Sequence, residues 1–429
     1  MNAEVPLMKQ ITHSQPRRQI ANLSIIGTTQ LHLRSPWVIA WWSAAFPGMG
    51  HLLLSKYLRG YMLFIWEIVI NLASHINVAI LYTFTGQFEE AKEVLDERWL
   101  LLYLPTYLFA IWDSYRSTVD INHKYTLAAR EDAEIKPFVI SGVEINYLNK
   151  RSPWVSAVWS ILMPGTGQFY IHRLTVTFLL LIWWVVSAYL SNILPAIHYT
   201  LLGEFSKATM ILDPQWFLNI PSLYFFCIYD AYSNTVENNK LFDWEQSKFL
   251  NRDYQNPFFQ LPFMNTMNGS GNMYVVSTFM HSEYLELAIT AIQMKGIAKE
   301  SILAVPLDKR GEQRKLFDSL QSADGLSLLD LPLILATLFS LFGAVYGFVL
   351  PWGPIIWGLI GIFSGFIVGL AIKLFITWKF TPNRQKNSKT SEVVVIVSCN
   401  KNQLEMIKDT FWENHALGVR KLDLSKNIG

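Results

Sequence analysis

Cysteine is scarce in this sequence. The two cysteines among 429 residues are Cys227, inside an apolar run, and Cys399, in a predicted strand. Because they lie far apart in unlike contexts, they predict neither a disulfide framework nor a paired-cysteine metal site. The sequence also lacks a Walker loop, a Gly-x-Ser-x-Gly elbow and a His-Glu-x-x-His helix. We therefore expect a protein that is not an enzyme and that holds no cofactor or metal.

Net charge is also small, at +2, which is too little to predict a nucleic-acid partner. The first residues lack the apolar core and the cleavage site of a signal peptide, so we expect membrane insertion to depend on later helices. Apolar residues are abundant instead: 51% of the chain is hydrophobic, with 16 Trp and 27 Phe. This composition predicts a polytopic α-helical membrane protein.

The chain contains an internal duplication. The stretch that begins Arg34-Ser-Pro-Trp and ends Pro-Gly-Met-Gly50 returns 117 residues later as Arg151-Ser-Pro-Trp through Pro-Gly-Thr-Gly167. At that offset about 30 positions match, including polar ones such as the pair Asp113 and Asp230, each followed two residues later by Tyr. Shared hydrophobicity alone does not produce such matches, so two tandem membrane units are predicted.

Each unit opens with an apolar segment, 36–54 and 153–171, that is short for a span of about 20 residues. Each segment is interrupted by a predicted turn, whose residues are Pro47, Gly48 and Gly50 in the first copy and Pro164, Gly165 and Gly167 in the second. Basic residues stand on both sides of each segment, and Lys and Arg concentrate in cytoplasmic loops. A re-entrant or interfacial element with both ends in the cytoplasm is favoured over a transmembrane span.

Longer apolar segments predict the spans at 60–83, 99–113, 174–202 and 216–232. An even number of spans per unit keeps the two copies parallel and leaves the basic 114–150 region in the cytoplasm.

The last third of the chain predicts two βαβ halves separated by a membrane hairpin. Strand, helix and strand are expected at 273–279, 282–296 and 301–305, and again at 392–398, 400–415 and 418–424. Two apolar helices, 328–350 and 354–378, lie between the halves. Neither half alone closes a useful core, so we expect them to pair as a split ferredoxin-like α+β domain with a four-stranded antiparallel sheet.

The residues Pro164-Gly-Thr-Gly-Gln-Phe-Tyr170, and to a lesser degree Pro47-Gly-Met-Gly-His51, resemble the Pro-Gly-x-Gly-x-x-Tyr signature of the bacterial two-transmembrane-helix domain family. The first copy has Leu53 where the second has Tyr170. This resemblance implies membrane residence rather than a particular chemistry.

A second resemblance covers Val275 to Val305 and the glycine-rich hairpin that follows. This region is similar to the bacterial general-stress or heat-induced stress protein family, in which ferredoxin-like halves flank a glycine-rich apolar segment. The resemblance implies a non-enzymatic protein associated with stress or with the cell envelope.

Three sets of residues are candidate sites. Glu67, Asn71 and His75 have helical spacing inside a predicted span, where a carboxylate forms either a proton or cation relay or an interhelical hydrogen bond. Asp113 and Asp230 are predicted to end helices at the cytoplasmic face, either as a symmetric cation site or as helix anchors. The small-residue spacing of the hairpin predicts close helix packing, within the hairpin or between protomers, through Gly343, Gly347, Gly361, Gly365 and Gly369.

Basic residues that flank the turns, Lys56, Arg59, His172 and Arg173, are predicted to attract anionic lipid head groups. The expected domains are a cytoplasmic arm (1–33), a first membrane unit (34–135), a linker (136–150), a second membrane unit (151–250), a linker (251–272), two βαβ halves (273–310 and 391–425) and an inserted membrane hairpin (326–380).

From these features we expect a bacterial inner-membrane protein with several spans and both termini in the cytoplasm. Its expected role is scaffolding or stress-associated regulation through self-association or contact with another membrane protein. The alternative is a transporter or channel component that uses the duplicated bundle.

Overall fold

The computed structural model describes residues 16–257, 259, 273–307, 329–380 and 393–422. The fold is mostly helical, at 67%, with small sheets. Most of the linker expected at 251–272 lies outside the described residues.

The first unit consists of helices α1 (Pro36–Ala45), α2 (Met49–Leu53), α3 (Tyr57–Ser74), α4 (Ile76–Phe84), α5 (Phe88–Val94) and α6 (Glu97–Glu131). The second unit repeats this order with α7 (Pro153–Leu162), α8 (Thr166–Tyr170), α9 (Leu174–Leu190), α10 (Ile193–Leu201), α11 (Phe205–Ile211), α12 (Pro214–Phe217) and α13 (Ile220–Asp253). The offset of 117 residues found in the sequence therefore also relates the elements in space.

Local chemistry explains the shared geometry. Proline occupies the first turn of α1 and α7, where a missing backbone N–H does no harm. Phe46 and Met163 are extended and end these helices, and Gly48 and Gly165 then begin the next short helices with φ values of 97° and 96°, a conformation that side chains disfavour. The Pro-Gly turn therefore divides each segment into two short helices.

The interior between the units is filled with aromatic rings. Trp42 of unit 1 packs edge-on against Phe226 of unit 2, with ring centroids 5.6 Å apart. Phe64 contacts both Phe46, at 4.6 Å, and Trp183 of unit 2, at 5.8 Å. Each such pair contributes about 0.5–1.5 kcal/mol beyond the burial of its area. The two units are therefore packed against each other by a continuous aromatic core.

Two expected spans are bent helix pairs. α3 meets α4 at 61° and α9 meets α10 at 59°. The bends occur at His75 and Asn192, both in the left-handed conformation with φ near 55°. Among the described residues, α15 (Asp330–Gly347) and α16 (Gly353–Phe380) are each long and apolar enough to cross a membrane, and the number rises from two to four if each bent pair is one span.

The spans expected at 99–113 and 216–232 do not form separate helices with those bounds. Residues 99–113 belong to the longer helix α6, and residues 216–232 run from the end of α12 into α13. None of these helices qualifies as a candidate span. An apolar stretch of about 15 residues rises only about 22 Å, against about 30 Å of hydrocarbon. Asp113 and Asp230 consequently lie within helices and do not end them.

Residues 16–33 of the arm and the first linker contain strands that the sequence did not predict. Strands β1 (Ala21–Ser24) and β2 (Gly27–Gln30) form a hairpin, and β3 (Phe138–Ile140) and β4 (Ile145–Tyr147) form a second one. Ile20, Leu23 and Leu148 share a buried cluster with Leu241 and Phe242 of α13. The two segments thus pack around the polar half of α13, which sequence periodicity alone did not reveal.

The C-terminal region contains β5 (Met273–Phe279), α14 (Glu283–Met294), β6 (Ile302–Pro306), β7 (Val393–Cys399), α17 (Leu404–Glu413) and β8 (Gly418–Leu422). Among the described residues these strands form one antiparallel sheet in the order β6-β7-β5-β8. Alternate strand residues such as Val275 and Val395 share a core with Ile289 of α14 and Phe411 of α17. Both helices therefore cover the same face of the sheet.

The hairpin helices α15 and α16 pack against each other through their glycines. A Cβ atom on Gly361 would lie 2.0 Å from the carbonyl oxygen of Phe339, and one on Gly365 would lie 2.4 Å from that of Leu335. Gly343, Gly347 and Gly369 make similarly close approaches across the hairpin. The small-residue stripe thus joins the two helices of one hairpin, which decides between the two alternatives that the sequence left open.

We predict that Gly361→Ala lowers the free energy of unfolding by about 1–3 kcal/mol, because the added methyl group forces two backbones apart. The matched control is Gly358→Ala on the same helix, where the nearest atom to a new Cβ would be 3.8 Å away. The control should stay within about 0.5 kcal/mol of the parent. Thermal unfolding in detergent micelles measures both, and equal midpoints would contradict this packing.

Candidate functional site

In the first unit a buried carboxylate holds the Pro-Gly turn against the long helix. Asp113, in the middle of α6, lies with Oδ2 3.0 Å from Nε2 of His51 on α2. Arg59 of α3 donates from Nη1 to the same oxygen at 2.6 Å, and Arg116 donates from Nη2 to Oδ1 at 3.3 Å. We call these four residues centre 1. The centre joins α2, α3 and α6 at one point.

The second unit has the equivalent arrangement, centre 2, around Asp230 of α13. Gln168 of α8 donates from Nε2 to Oδ2 at 3.1 Å, and Asn234 donates to Oδ1 at 2.9 Å. Arg173 forms an ion pair with the same carboxylate. Its other terminal nitrogen donates to the backbone oxygen of Leu52 at 3.1 Å, so this arginine also ties the second unit to α2 of the first.

The two centres differ in solvent exposure. Arg173 is 3% exposed and Asp230 is fully buried, whereas the cations of centre 1 are 46% exposed at Arg59 and 54% at Arg116. A buried carboxylate is tolerated only with a counter-charge and hydrogen bonds, and both centres satisfy this requirement. Centre 2 is therefore an internal ion pair, whereas centre 1 presents positive charge to its surroundings.

The two aspartates do not form a shared cation site. Each is held by its own arginine, and within the described parts of the chain no cluster of three His, Cys, Asp or Glu residues has metal-binding geometry. Of the two interpretations from the sequence, the geometry favours helix anchoring. The contacts of the aspartates with His51 and Gln168 were not predicted, although both pairs share a separation of 62 residues in the sequence.

Glu67 lies in a second buried polar network. Its Oε1 accepts from Asn71 at 3.3 Å and from the Tyr103 hydroxyl at 3.4 Å, and Asn71 in turn accepts from Gln215 of α12 at 2.6 Å. Gln215 also accepts through its backbone oxygen from Asn77. The network links α3, α4 and α6 to the second unit. The second carboxylate oxygen of Glu67, Oε2, is buried without a hydrogen-bond partner among the described residues.

His75 does not belong to this network. The sequence placed it one turn beyond Asn71, but its left-handed backbone ends α3 and leaves the side chain exposed. Asn77 and Gln215 take its place. Gln215 could not be found from periodicity, because it lies 144 residues from Asn71 and belongs to the short helix α12.

A third polar cluster connects α13 to the sheet. Gln246 of α13 is fully buried, and its Oε1 accepts from the backbone N–H of Ser282 at 3.1 Å. Its Nε2 donates to the Ser282 carbonyl at 2.9 Å and to Glu286 of α14 at 2.6 Å. Burial and the neighbouring Glu286 carboxylate raise the pKa of Glu245, beside Gln246, to about 7. This junction was not predictable from the sequence, because the predicted span ends at 232 and its apolar pattern does not continue to Gln246.

We predict that Asp230→Asn destabilises the protein more than Asp113→Asn. The first change leaves Arg173 buried without its counter-charge, which costs about 3–5 kcal/mol. The second leaves Arg59 and Arg116, whose guanidinium groups reach solvent, so its effect should be about half as large or less. Denaturant unfolding of both variants measures the difference. Equal losses would contradict the contrast between the centres, and the double variant R173Q/D230N should recover part of the loss.

Comparison with known proteins brought no match: neither a family model, nor a curated protein, nor a solved structure corresponds to this chain.

Proposed function

We propose that this protein is a non-enzymatic membrane scaffold whose C-terminal sheet binds partners or a second copy of the chain. In this proposal the two units and the α15–α16 hairpin lie in the cell membrane of a bacterium, and the sheet lies on the cytoplasmic side with both termini. The regulatory role in envelope stress suggested by the second resemblance belongs to the same proposal.

Membrane residence is supported by the apolar surface of the hairpin. α16 presents exposed apolar side chains along much of its length, among them Phe363, Ile367 and Phe375. In water such a contiguous surface is unfavourable, whereas in hydrocarbon it is neutral. Its inward glycines meanwhile pack on α15, as helices in lipid do.

The observation that carries the scaffold proposal is the continuity of α13. This helix begins in the aromatic core between the units, holds centre 2 at Asp230, and ends with Leu250 buried in the core of the sheet. One helix therefore connects the bundle to the sheet without a flexible segment, and Gln246 locks the two together. A partner bound to the sheet is thus mechanically coupled to the membrane bundle.

The sheet has features of a binding module rather than of a catalyst. We propose a ferredoxin-like arrangement for this sheet, which is supported by its strand order, with β8 and β6 at the two edges. Edge strands offer unpaired backbone groups to another chain. Burial raises the pKa of Glu245 and of Glu286 at the junction, so a change in pH or a bound partner can change the charge of these carboxyl groups.

Crosslinking in native membranes tests this function. Lysine-reactive crosslinking should yield intermolecular products from the lysines of the sheet region, which include Lys295, Lys299, Lys401, Lys408 and Lys421. Lys92 on α5 and Lys207 on α11, in the connector between the predicted spans of each unit, are matched controls that should not reach the same partners, because our proposal puts these connectors on the opposite side of the membrane from the sheet. Mass spectrometry identifies the products. Recovery of neither a partner nor a self-crosslink would count against the scaffold.

A second candidate function, a proton relay, is favoured by the unpaired Oε2 of Glu67 inside the bundle. A buried carboxylate without a cation partner is a usual element of proton pathways in membranes. In liposomes that contain a pH-sensitive dye, Glu67→Gln should slow proton entry relative to the parent. Glu97→Gln, at the first residue of α6, is the control and should leave the rate of proton entry unchanged. Equal rates in all three proteins would remove the relay and leave the scaffold unaffected.

A further inference from the structure

We infer that centre 1 is a binding site for the phosphate of an anionic phospholipid, and that centre 2 is not. The inference rests on the membrane residence proposed above and adds a ligand to it. It begins from the difference in exposure between two centres that share one geometry.

Positive charge exceeds negative charge at centre 1. Arg59 and Arg116 share the single carboxylate of Asp113, whereas Lys56 donates to the neutral hydroxyl of Ser117, at 2.6 Å, and pairs with no carboxylate among the residues that the structure describes. Asp120 and Lys124, which also act on Lys56, offset each other. Three cations therefore face one anion, and the arginines remain half exposed with donors available for a phosphate.

The second unit lacks this excess. The positions equivalent to Arg59 and Arg116 are Val176 and Ser233, and the position equivalent to Lys56 is Arg173, which is buried against Asp230. One copy of the duplicated fold thus keeps a neutral internal pair. The other carries outward-facing cations in excess of the one counter-charge that its buried carboxylate needs.

The surroundings of centre 1 suit a lipid better than a free anion. Exposed Leu58 and Met62 flank Arg59 on α3, and Trp112 lies under the Arg116 guanidinium, 5.2 Å from its ring centroid. Trp37, which packs against Tyr115 at 5.1 Å, is exposed on the same side. Tryptophan and arginine together are typical of the level of lipid head groups, with apolar side chains left for the acyl chains.

The asparagine and glutamine side chains of centre 2 offer a further contrast. They donate to the carboxylate of Asp230 from within the protein, and Arg173 is itself only 3% exposed, so a phosphate in solvent or at a membrane surface has no access to it. The duplication therefore contains its own comparison: the same turn, the same aspartate, and a different cation arrangement. We expect lipid selectivity to follow the cations rather than the turn.

The test uses the full chain, purified in detergent micelles, with phosphatidylglycerol and phosphatidylcholine as probes and native mass spectrometry as the readout. The parent should bind phosphatidylglycerol more tightly than phosphatidylcholine. R59Q/R116Q should lose about 25-fold in affinity for phosphatidylglycerol, roughly fivefold for each positive charge removed. R59K/R116K should retain most of it. If the double glutamine variant does not fold, the single variant R116Q carries the same test with one charge.

The control K92Q/K207Q removes two exposed cations from the connectors and should leave the affinity unchanged. Unchanged binding by R59Q/R116Q, or an equal loss in the control, would overturn the site. Excess inorganic phosphate that displaces the lipid completely would show a general anion site and overturn the lipid assignment. A chain that is not retained in membranes after an alkaline wash would refute membrane residence itself, whereas a retained chain without lipid preference would refute only this inference.

Discussion

A buried carboxylate determines how this molecule is assembled. Asp230 lies where α8, α9 and α13 meet, and without Arg173 its charge would have no place in an apolar interior. Because Arg173 also donates to the backbone of Leu52, the same ion pair sets the position of unit 1 against unit 2. Hydrophobic packing in the aromatic core stabilises the contact between the units but does not fix their relative orientation. The ion pair and its hydrogen bonds are directional, and they fix that orientation.

Much of this architecture follows from local sequence patterns. The duplication, the strands at 273–279 and 392–398, and the two hairpin helices all appear where periodicity and turn residues predict them, with boundaries that differ by a few residues at most. The turn at Pro164 and Gly165 was also predictable, because a positive φ leaves few choices other than glycine. These features depend on residues that are neighbours in the chain.

The features that sequence analysis missed depend on contacts between distant residues. Nothing near His51 indicates that its partner is Asp113, and nothing near Gln215 indicates that it completes the network of Glu67. The length of α13 was missed for a similar reason. Its polar half resembles a linker until the two small hairpins and the sheet are seen to bury its apolar side chains, and this tertiary packing overrides a weak local preference.

The order of strands in the sheet has a consequence for biosynthesis. β5 and β6, both made before the hairpin, do not pair with each other in the described sheet; β7, made after the hairpin, lies between them and pairs with both. The first βαβ half therefore cannot form its native strand pairs before β7 has been synthesised. Because such long-range pairing must follow synthesis of everything between, the sheet closes only after α15 and α16 have left the ribosome. The four-stranded sheet thus forms only in chains that already contain both helices of the hairpin. A chain that is truncated or stalled before β7 does not form it.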